Sequence, residues 1–360
     1  MPAQGEPRPA LPGRGGGAMA GNGAKPATIR EVARAAGVSV GTVSRSLNAP
    51  DTVRRATLEK VQTAIERLGF KPDPRAQGMR RRNTLAVGFI SNDISNPVHA
   101  VVFRGAETEL RGRGYSLLVV NTGGNPEGEA AAIDTLQHGR VDGLIMTINS
   151  EQDRRCRALL AAARVPSVLL DREIGLELDA VLTDHAEGML QAVDYLIELG
   201  HRRIALITAG MEIRPGRERV RGFTEAFARR KLALPQDLIR AQSLSADFGF
   251  RETTALLQLP EPPTALIAGG NQILVGVLKA IQQHGVQLPG QLSLITCDRT
   301  DLSTTYPGPL TIIDRNLAEI GRTAAELLLE RMGEGAGKPA LRISFPTHLV
   351  LGRSCARSAK

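Results

Sequence analysis

Six residues within nine positions, Val40, Gly41, Thr42, Ser44, Arg45 and Asn48, are of the types that reach double-stranded DNA. Hydroxyls and arginine donate to phosphates, arginine and asparagine make paired hydrogen bonds to base edges, and small residues let the backbone come close. That chemistry needs a short helix with these side chains on its free face. Ser39 can cap such a helix, and Val43 and Leu47, four apart, would turn inward.

The stretch before it reads as a second helix. Thr28 and Glu31 form a capping box, Ile29, Val32, Ala33 and Ala36 make an apolar face, and Gly37 supplies the left-handed stop. Two helices joined by so tight a turn are a helix-turn-helix. A helical hairpin that binds nothing is the competing reading of this stretch alone. After a turn at 48–51, a third helix is expected from Val53 to Leu68, with Val53, Leu58, Val61, Ile65 and Leu68 buried and Gly69 at its end.

The charge separates the two readings. The 360-residue chain has a net charge of +8. Residues 25–82 hold 13 Lys/Arg against 5 Asp/Glu, a net of +8, so the rest is nearly neutral. A basic module on a neutral body is the footprint of a nucleic-acid binder. Residues 71–82 carry two prolines and five basic residues around Met79, an apolar side chain of the kind that can wedge into a minor groove. Residues 1–24, rich in Gly, Pro and Ala, are expected to be a disordered tail. Three widely spaced cysteines fit neither a disulfide framework nor a zinc site and suggest a reducing, cytoplasmic setting. No apolar run approaches the roughly 20 residues that span a bilayer.

From Thr84 short apolar runs (85–90, 116–121, 143–148, 166–170, 180–183, 203–208, 264–268, 291–296) alternate with helical stretches. The fold class expected is α/β: a small all-α headpiece followed by two doubly wound parallel-sheet subdomains. Ligands in such folds bind outside the carboxyl ends of the strands. Six polar loops stand at such ends: 91–97, Asp171-Arg172, 214–221, 269–271, 297–299 and 314–316. They converge on one cleft if the subdomains face each other. Enzyme signals are poor: no GxGxxG opens a helix after the first strand, no Walker loop or nucleophile elbow is present, and the six histidines have no metal spacing. No enzymatic activity, cofactor or metal is expected. The Gly123-Gly124-Asn125 stretch reads as a loop, and His201 as a helix-to-strand junction.

Taken in order, Val32-Ala33, Ala36-Gly-Val-Ser39, Thr42-Val-Ser-Arg45, Leu47-Asn48, Leu68-Gly-Phe70, Asn96-Pro97, Val141-Asp-Gly143, Leu170-Asp-Arg172, Leu199-Gly-His-Arg-Arg203, Arg219-Val-Arg-Gly-Phe223 and Pro309-Leu-Thr311 resemble the lactose-repressor/galactose-repressor (LacI/GalR) family over about 27–353. The resemblance implies a headpiece at 25–70, a hinge helix at 71–83 and a periplasmic-binding-protein-like core at 84–353. It implies subdomains at 84–184 plus 316–344 and at 185–313 plus 345–353, with 354–360 as a tail. It further implies a homodimer on a near-palindromic operator, controlled by a small effector in the cleft. A solute-binding protein without a DNA role is the alternative on the same core.

Carried over by position, Val40, Gly41, Ser44, Arg45 and Asn48 match recognition-helix contacts. Thr28, Thr52 and Thr57 match positions near phosphates, and Ala76 and Met79 match the hinge. Ser39 and Thr42 join them as candidates at the start of the recognition helix. For the effector the matching positions are His99, Asp171, Arg219, Asn271, Asp298 and Arg315. Asp93 in the first loop, and Arg172 and Arg299 beside the two strand-end aspartates, complete the candidate set. Several positions depart from the family. Met79 after Gly78 replaces a usual leucine, Val98-His99 an aromatic, Gly270-Asn271 an Asn-Asp pair, and Asp298-Arg299 an Asp-Asp pair. Exchanging carboxylates for arginines points to an anionic effector such as a sugar acid or sugar phosphate. The competing reading has Arg299 in solvent or paired with Asp301.

Overall fold

The computed structural model describes residues 27–70 and 83–358, except 139, 307, 334 and 336, and excludes the Asn48 side chain. The tail 1–24 and the linker residues Pro74, Ala76, Gly78 and Met79 lie outside the described residues. The chain divides at Arg82 into two compact units, each taken by itself.

In the first unit α1 (Ile29–Ala36) starts at Thr28, whose hydroxyl accepts the Glu31 N–H while Glu31 accepts the Thr28 N–H at 2.7 Å. Gly37, at φ 65°, ends it. The Val38 N–H then closes back on the Ala33 carbonyl at 3.0 Å, so α2 (Val40–Asn48) follows at once. Helix α3 is shorter than expected: it spans Arg55–Leu68, because Pro50–Thr52 form a 3-10 turn and Val53 stays extended. Val32, Ala33, Val43, Val61 and Ala64 form the small shared core.

The second unit contains two six-stranded sheets. The first holds β1 (Ala86–Ser91), β2 (Ser116–Asn121), β3 (Gly143–Met146), β4 (Ser167–Leu170), β5 (Asp179–Thr183) and β11 (Arg342–Phe345), in the order β2-β1-β3-β4-β5-β11. The second holds β6 (Ile204–Ala209), β7 (Ile239–Gln242), β8 (Ala265–Ala268), β9 (Ser293–Cys297), β10 (Thr311–Asp314) and β12 (His348–Val350), in the order β7-β6-β8-β9-β10-β12. All neighbours are parallel except β12, which is antiparallel to β10 and departs from the parallel sheet expected. The cause is the crossing: the chain leaves the carboxyl end of β11 and, two residues later, pairs His348 with Asp314 at the carboxyl end of β10, so it can only run backwards. Strands β7, β11 and β12, which have half-buried and exposed residues only, fall outside the apolar runs, as does β10.

Helices α4 (Pro97–Gly112), α5 (Pro126–Gln137), α6 (Arg154–Ala161) and α12 (Leu317–Met332) cover the first sheet. Helices α7 (His185–Glu198), α8 (Arg214–Arg229), α9 (Ala246–Leu257) and α10 (Asn271–Gln283) cover the second, and α11 (Asp301–Thr305) is a single turn. The fully buried strand runs match a sheet covered on both faces. Among the described residues no helix is long and apolar enough to cross a membrane. The segment after Arg353, read as a tail, is stitched down as far as Ser358. Ser354 accepts the Thr311 N–H at 2.9 Å, and Ser358 donates to the Leu199 carbonyl at 2.8 Å. His201, at the junction of α7 and β6, is buried with Nδ1 2.8 Å from Thr264 Oγ1 and Nε2 3.0 Å from the Ala356 carbonyl.

Helix α12 returns late in the chain to pack on α4, and the two backbones nearly touch. A methyl group on Gly321 would stand 1.9 Å from the Val102 carbonyl oxygen, and one on Gly105 would stand 2.1 Å from that of Ala318. We expect Gly321→Ala to lower the unfolding free energy by about 1–3 kcal/mol or more in urea titrations. Gly112→Ala, on the same α4 but facing open space, should be neutral or stabilising.

Candidate functional site

The recognition helix presents a mixed surface. Ser39 caps α2 by accepting the Thr42 N–H at 3.1 Å, and its hydroxyl lies 2.9 Å from Thr42 Oγ1. Gly41 and Arg45 are exposed, and Thr42 and Ser44 are half-buried. Val40, expected on the exposed face, is half-buried and packs against the headpiece core, because the first turn of α2 lies against that core. Thr28 and Thr52 are exposed and Thr57 is half-buried; the Thr52 hydroxyl donates to the Ala49 carbonyl at 2.7 Å.

In the second unit the carboxyl ends of both sheets face a shared cavity of about 680 Å³. Each of the six polar loops contributes to it: Asp93 and Asn96, Asp171 and Arg172, Pro215 and Arg219, Gly270 and Asn271, Asp298, and Arg315. Of the nine candidate effector residues, Asp93, His99, Asp171, Arg172, Arg219, Asn271, Asp298 and Arg315 line it and Arg299 does not. Arg299 turns outward and pairs with Asp314, Nη2 to Oδ2 at 2.7 Å, rather than with Asp301. The strand-end backbone explains this. Asp298 has φ 69°, which turns its carboxylate into the cavity and sends the next residue away.

Asp171 is the counterpart of Asp298 in the first sheet. It follows β4 as Asp298 follows β9, it has φ 52°, and its N–H bonds to Val181 as that of Asp298 bonds to Ile313, both at 2.9 Å. A left-handed backbone is uncommon for a residue other than glycine, and here it occurs twice, at equivalent places. The two carboxylates meet on one side chain. Arg315 donates Nε to Asp298 at 2.7 Å, Nη1 to Asp171, and Nη1 to the Thr183 hydroxyl at 2.6 Å. Arg315 is 10% exposed, Asp298 5% and Asp171 15%, so the bridge lies largely out of water. Burial opposes the charge on all three groups; the neighbouring His185 and then Arg315 hold Asp171 well below the usual carboxylate range, Arg315 holds Asp298 below it, and the two carboxylates raise Arg315.

Other lining groups are held in place by similar means. Asp93 accepts from Ser95, and across the cleft from Gln272 at 3.1 Å. His99 Nδ1 lies 2.9 Å from both Ser91 Oγ and the Asp93 carbonyl, and burial lowers its basicity. Asn271 accepts from the Thr300 hydroxyl at 2.8 Å. Arg172, 5% exposed, donates to the carbonyls of Ile148 and Asp171. Arg219 is 4% exposed, and its Nε has no hydrogen-bond partner. Glu129 lies beneath the loop after β3, where it accepts from both the N–H and the amide of Asn149, a lining residue. Burial raises the Glu129 pKa. Arg214 and Arg217 join α8 to Glu151 in the first subdomain.

Sequence reasoning missed His185, Asn149, Gln242, Ser243 and Gln272. Gln242 ends β7 and Ser243 follows it, and that strand has no apolar run to reveal it. Gln272 needed only one more step along the loop from Asn271. Gly123 and Gly124 form a turn as expected, but one that lines the cavity.

His185, first residue of α7, is 5% exposed, and its Nε2 lies 3.3 Å from Asp171 Oδ2 without the alignment of a hydrogen bond. Burial pushes its pKa down to about 4. It is therefore neutral at pH 7, and Arg315 is the charge that holds Asp171 ionised there. An unfolded histidine titrates near 6.5. The native state thus binds fewer protons than the unfolded chain between about pH 6.5 and 4, and His185 costs stability as pH falls through that window. Asp171 and Asp298 act lower, losing their contribution only as pH falls below the unfolded value near 3.9. Between pH 7 and 5, His185→Asn should lose less stability than the unsubstituted chain in urea titrations, by up to about 1.4 kcal/mol per pH unit. Identical slopes would contradict this assignment.

Comparison with known proteins places this geometry. A family model described as bacterial regulatory proteins, lacI family, matches residues 28–73, and one described as a periplasmic binding protein-like domain matches residues 193–355. The chain is 34% identical over 329 residues to the HTH-type transcriptional regulator PtxS of Pseudomonas aeruginosa, covering 90% of this chain and 94% of that one. It is 31% identical over 307 residues to the ribose operon repressor of Escherichia coli, covering 85% and 93%. Among solved structures it is similar to the lac repressor dimer bound to operator and the anti-inducer ONPF, with a TM-score of 0.81, 28% identity, and coverage of 92% of this chain and 100% of that one. The chain belongs to the lacI family of bacterial regulatory proteins, with a helix-turn-helix headpiece and a periplasmic-binding-protein-like core.

Proposed function

We propose that the protein is a transcriptional repressor that binds a near-palindromic operator as a homodimer and is controlled by a small ligand in the cleft between its core subdomains. The observation that carries this reading is one chain joining a capped helix-turn-helix at 28–48 to a polar cleft that spans two subdomains. The similar lac repressor was solved as a dimer on operator DNA, which supports the dimeric, operator-bound form here. A solute-binding protein would need the cleft but not the headpiece. On this reading Gly41, Thr42, Ser44, Arg45 and Asn48 face base edges, and Thr28, Ser39, Thr52 and Thr57 lie near phosphates. The family argues against an enzyme, and the protein works in the cytoplasm, on the nucleoid when bound.

The proposed division of labour has residues 25–70 as the DNA module, 71–83 as the hinge and 84–353 as the effector and dimerisation core. A ligand that changes the angle between the subdomains would change the spacing of the two headpieces, and hence operator affinity. Selection of bound fragments from genomic DNA should recover one palindrome repeatedly. On that palindrome, log affinity should fall linearly with log salt, with a slope near −0.9 per phosphate neutralised. Arg45→Ala should weaken specific binding by about 1–3 kcal/mol while leaving non-specific binding nearly intact. Equal losses on operator and random DNA would remove Arg45 from base recognition.

A further inference from the structure

We propose that the cleft ligand is a hydroxylated monocarboxylate, a sugar acid in chemical class, whose carboxylate is held by Arg219 with Arg172. The inference rests on the repressor reading for its regulatory meaning but not for its electrostatics. The most buried charged groups of the cavity are three arginines, Arg172, Arg219 and Arg315, and two aspartates, Asp171 and Asp298. Arg315 occupies both aspartates, so it is not the anion site that its position suggests. His185 contributes no charge at neutral pH. The nearby carboxylates of the first subdomain are engaged as well, Glu129 by Asn149 and Cys156, and Glu151 by Arg217 and the Arg214 N–H.

Neither Arg172 nor Arg219 is in an ion pair among the described residues; burial lowers the pKa of Arg172, the carboxylates of Asp171, Glu151 and Glu129 oppose that, and the nearby Arg219 adds to it. The Nε of Arg219 is sealed from water without a partner. A buried guanidinium N–H left without an acceptor is costly, and a carboxylate is the planar acceptor that fits the fork. The surplus in this buried set is a single positive charge. A phosphate ester carries close to two negative charges, and a second one would face Asp93 and Glu212, the half-buried carboxylates of the same cavity. The remaining lining offers amides and hydroxyls, from Asn92, Asn149, Gln242, Ser243 and Gln272, which suit a chain or ring of hydroxyl groups. Phe89 is the phenyl ring among the described lining residues, and it is 2% exposed.

Thermal unfolding of the full chain at fixed ionic strength tests this, with D-gluconate and D-galacturonate as probes against D-glucose, D-galactose and glucose 6-phosphate. A bound ligand stabilises in proportion to the logarithm of its saturation. At least one acid should raise Tm by about 5 °C, with less from its neutral partner and from the phosphate. Arg219→Gln should abolish that shift, Arg219→Lys should reduce it, and Arg299→Gln, outside the cavity, should leave it intact. Removing an unpaired buried charge should leave the ligand-free Arg219→Gln protein at least as stable as the unsubstituted chain, so folding itself is not at risk. Equal shifts from neutral sugars or from the phosphate, an acid shift that survives Arg219→Gln, or no shift from either acid would each overturn the proposal. The same preparations on operator DNA separate the two readings. Operator released by a neutral sugar would keep the repressor and discard the acid. An acid-specific Tm shift without operator binding would do the reverse.

Discussion

The guanidinium of Arg315 is the interaction on which the core depends. It stands in the second of the three crossings between subdomains and bonds to Asp298 on one side and to Asp171 and Thr183 on the other. Each partner alone would be a charged group pressed out of water, a costly state. Together they hold the carboxyl ends of two sheets against one another. The neighbouring crossings are tied to the same place: Thr347 donates to the Asp184 carbonyl at 2.9 Å, and Arg214 donates to that of Thr183 at 2.6 Å. A change in the angle between the subdomains must therefore work on this cluster.

The arrangement follows from duplication of one topology. Both sheets share a strand order, so the fourth strand of one and its equivalent in the other end at matching places, and each ends in an aspartate with a left-handed backbone. In most α/β clefts such strand-end groups are available to a ligand. Here the pair is filled from within by Arg315. That pair is then closed as an acceptor of cations, and Arg219 and Arg172 are the buried lining arginines that it leaves outside an ion pair.

Much of this could be read from the sequence where the signal is local. The capping box at Thr28 and Glu31, the Gly37 turn and the Val43/Leu47 pair are fixed within a few residues, and the headpiece helices follow from them. The six strand-end loops were legible because each apolar run of a buried parallel strand stops abruptly. Some edge strands were not: Ile239-Arg-Ala-Gln242 has no run, and its two apolar residues alternate with polar ones over too few positions to mark a strand. Nor was the partner of each charge. Arg299 and Arg315 look alike in sequence, both next to an aspartate at a strand end. Backbone direction sends one outward to Asp314 and the other across the cleft to Asp171, and only coordinates distinguish them.

The most direct test of the account is a pair of double-mutant cycles on the unfolding free energy of the full chain, Asp171→Asn with Arg315→Gln and Asp298→Asn with Arg315→Gln. If Arg315 bridges the subdomains, both cycles will show coupling of about 1–3 kcal/mol, because each single variant strands a charge that the double variant does not. Additivity within about 0.5 kcal/mol in the Asp171 cycle would mean that the bridge does not hold the two subdomains together in solution.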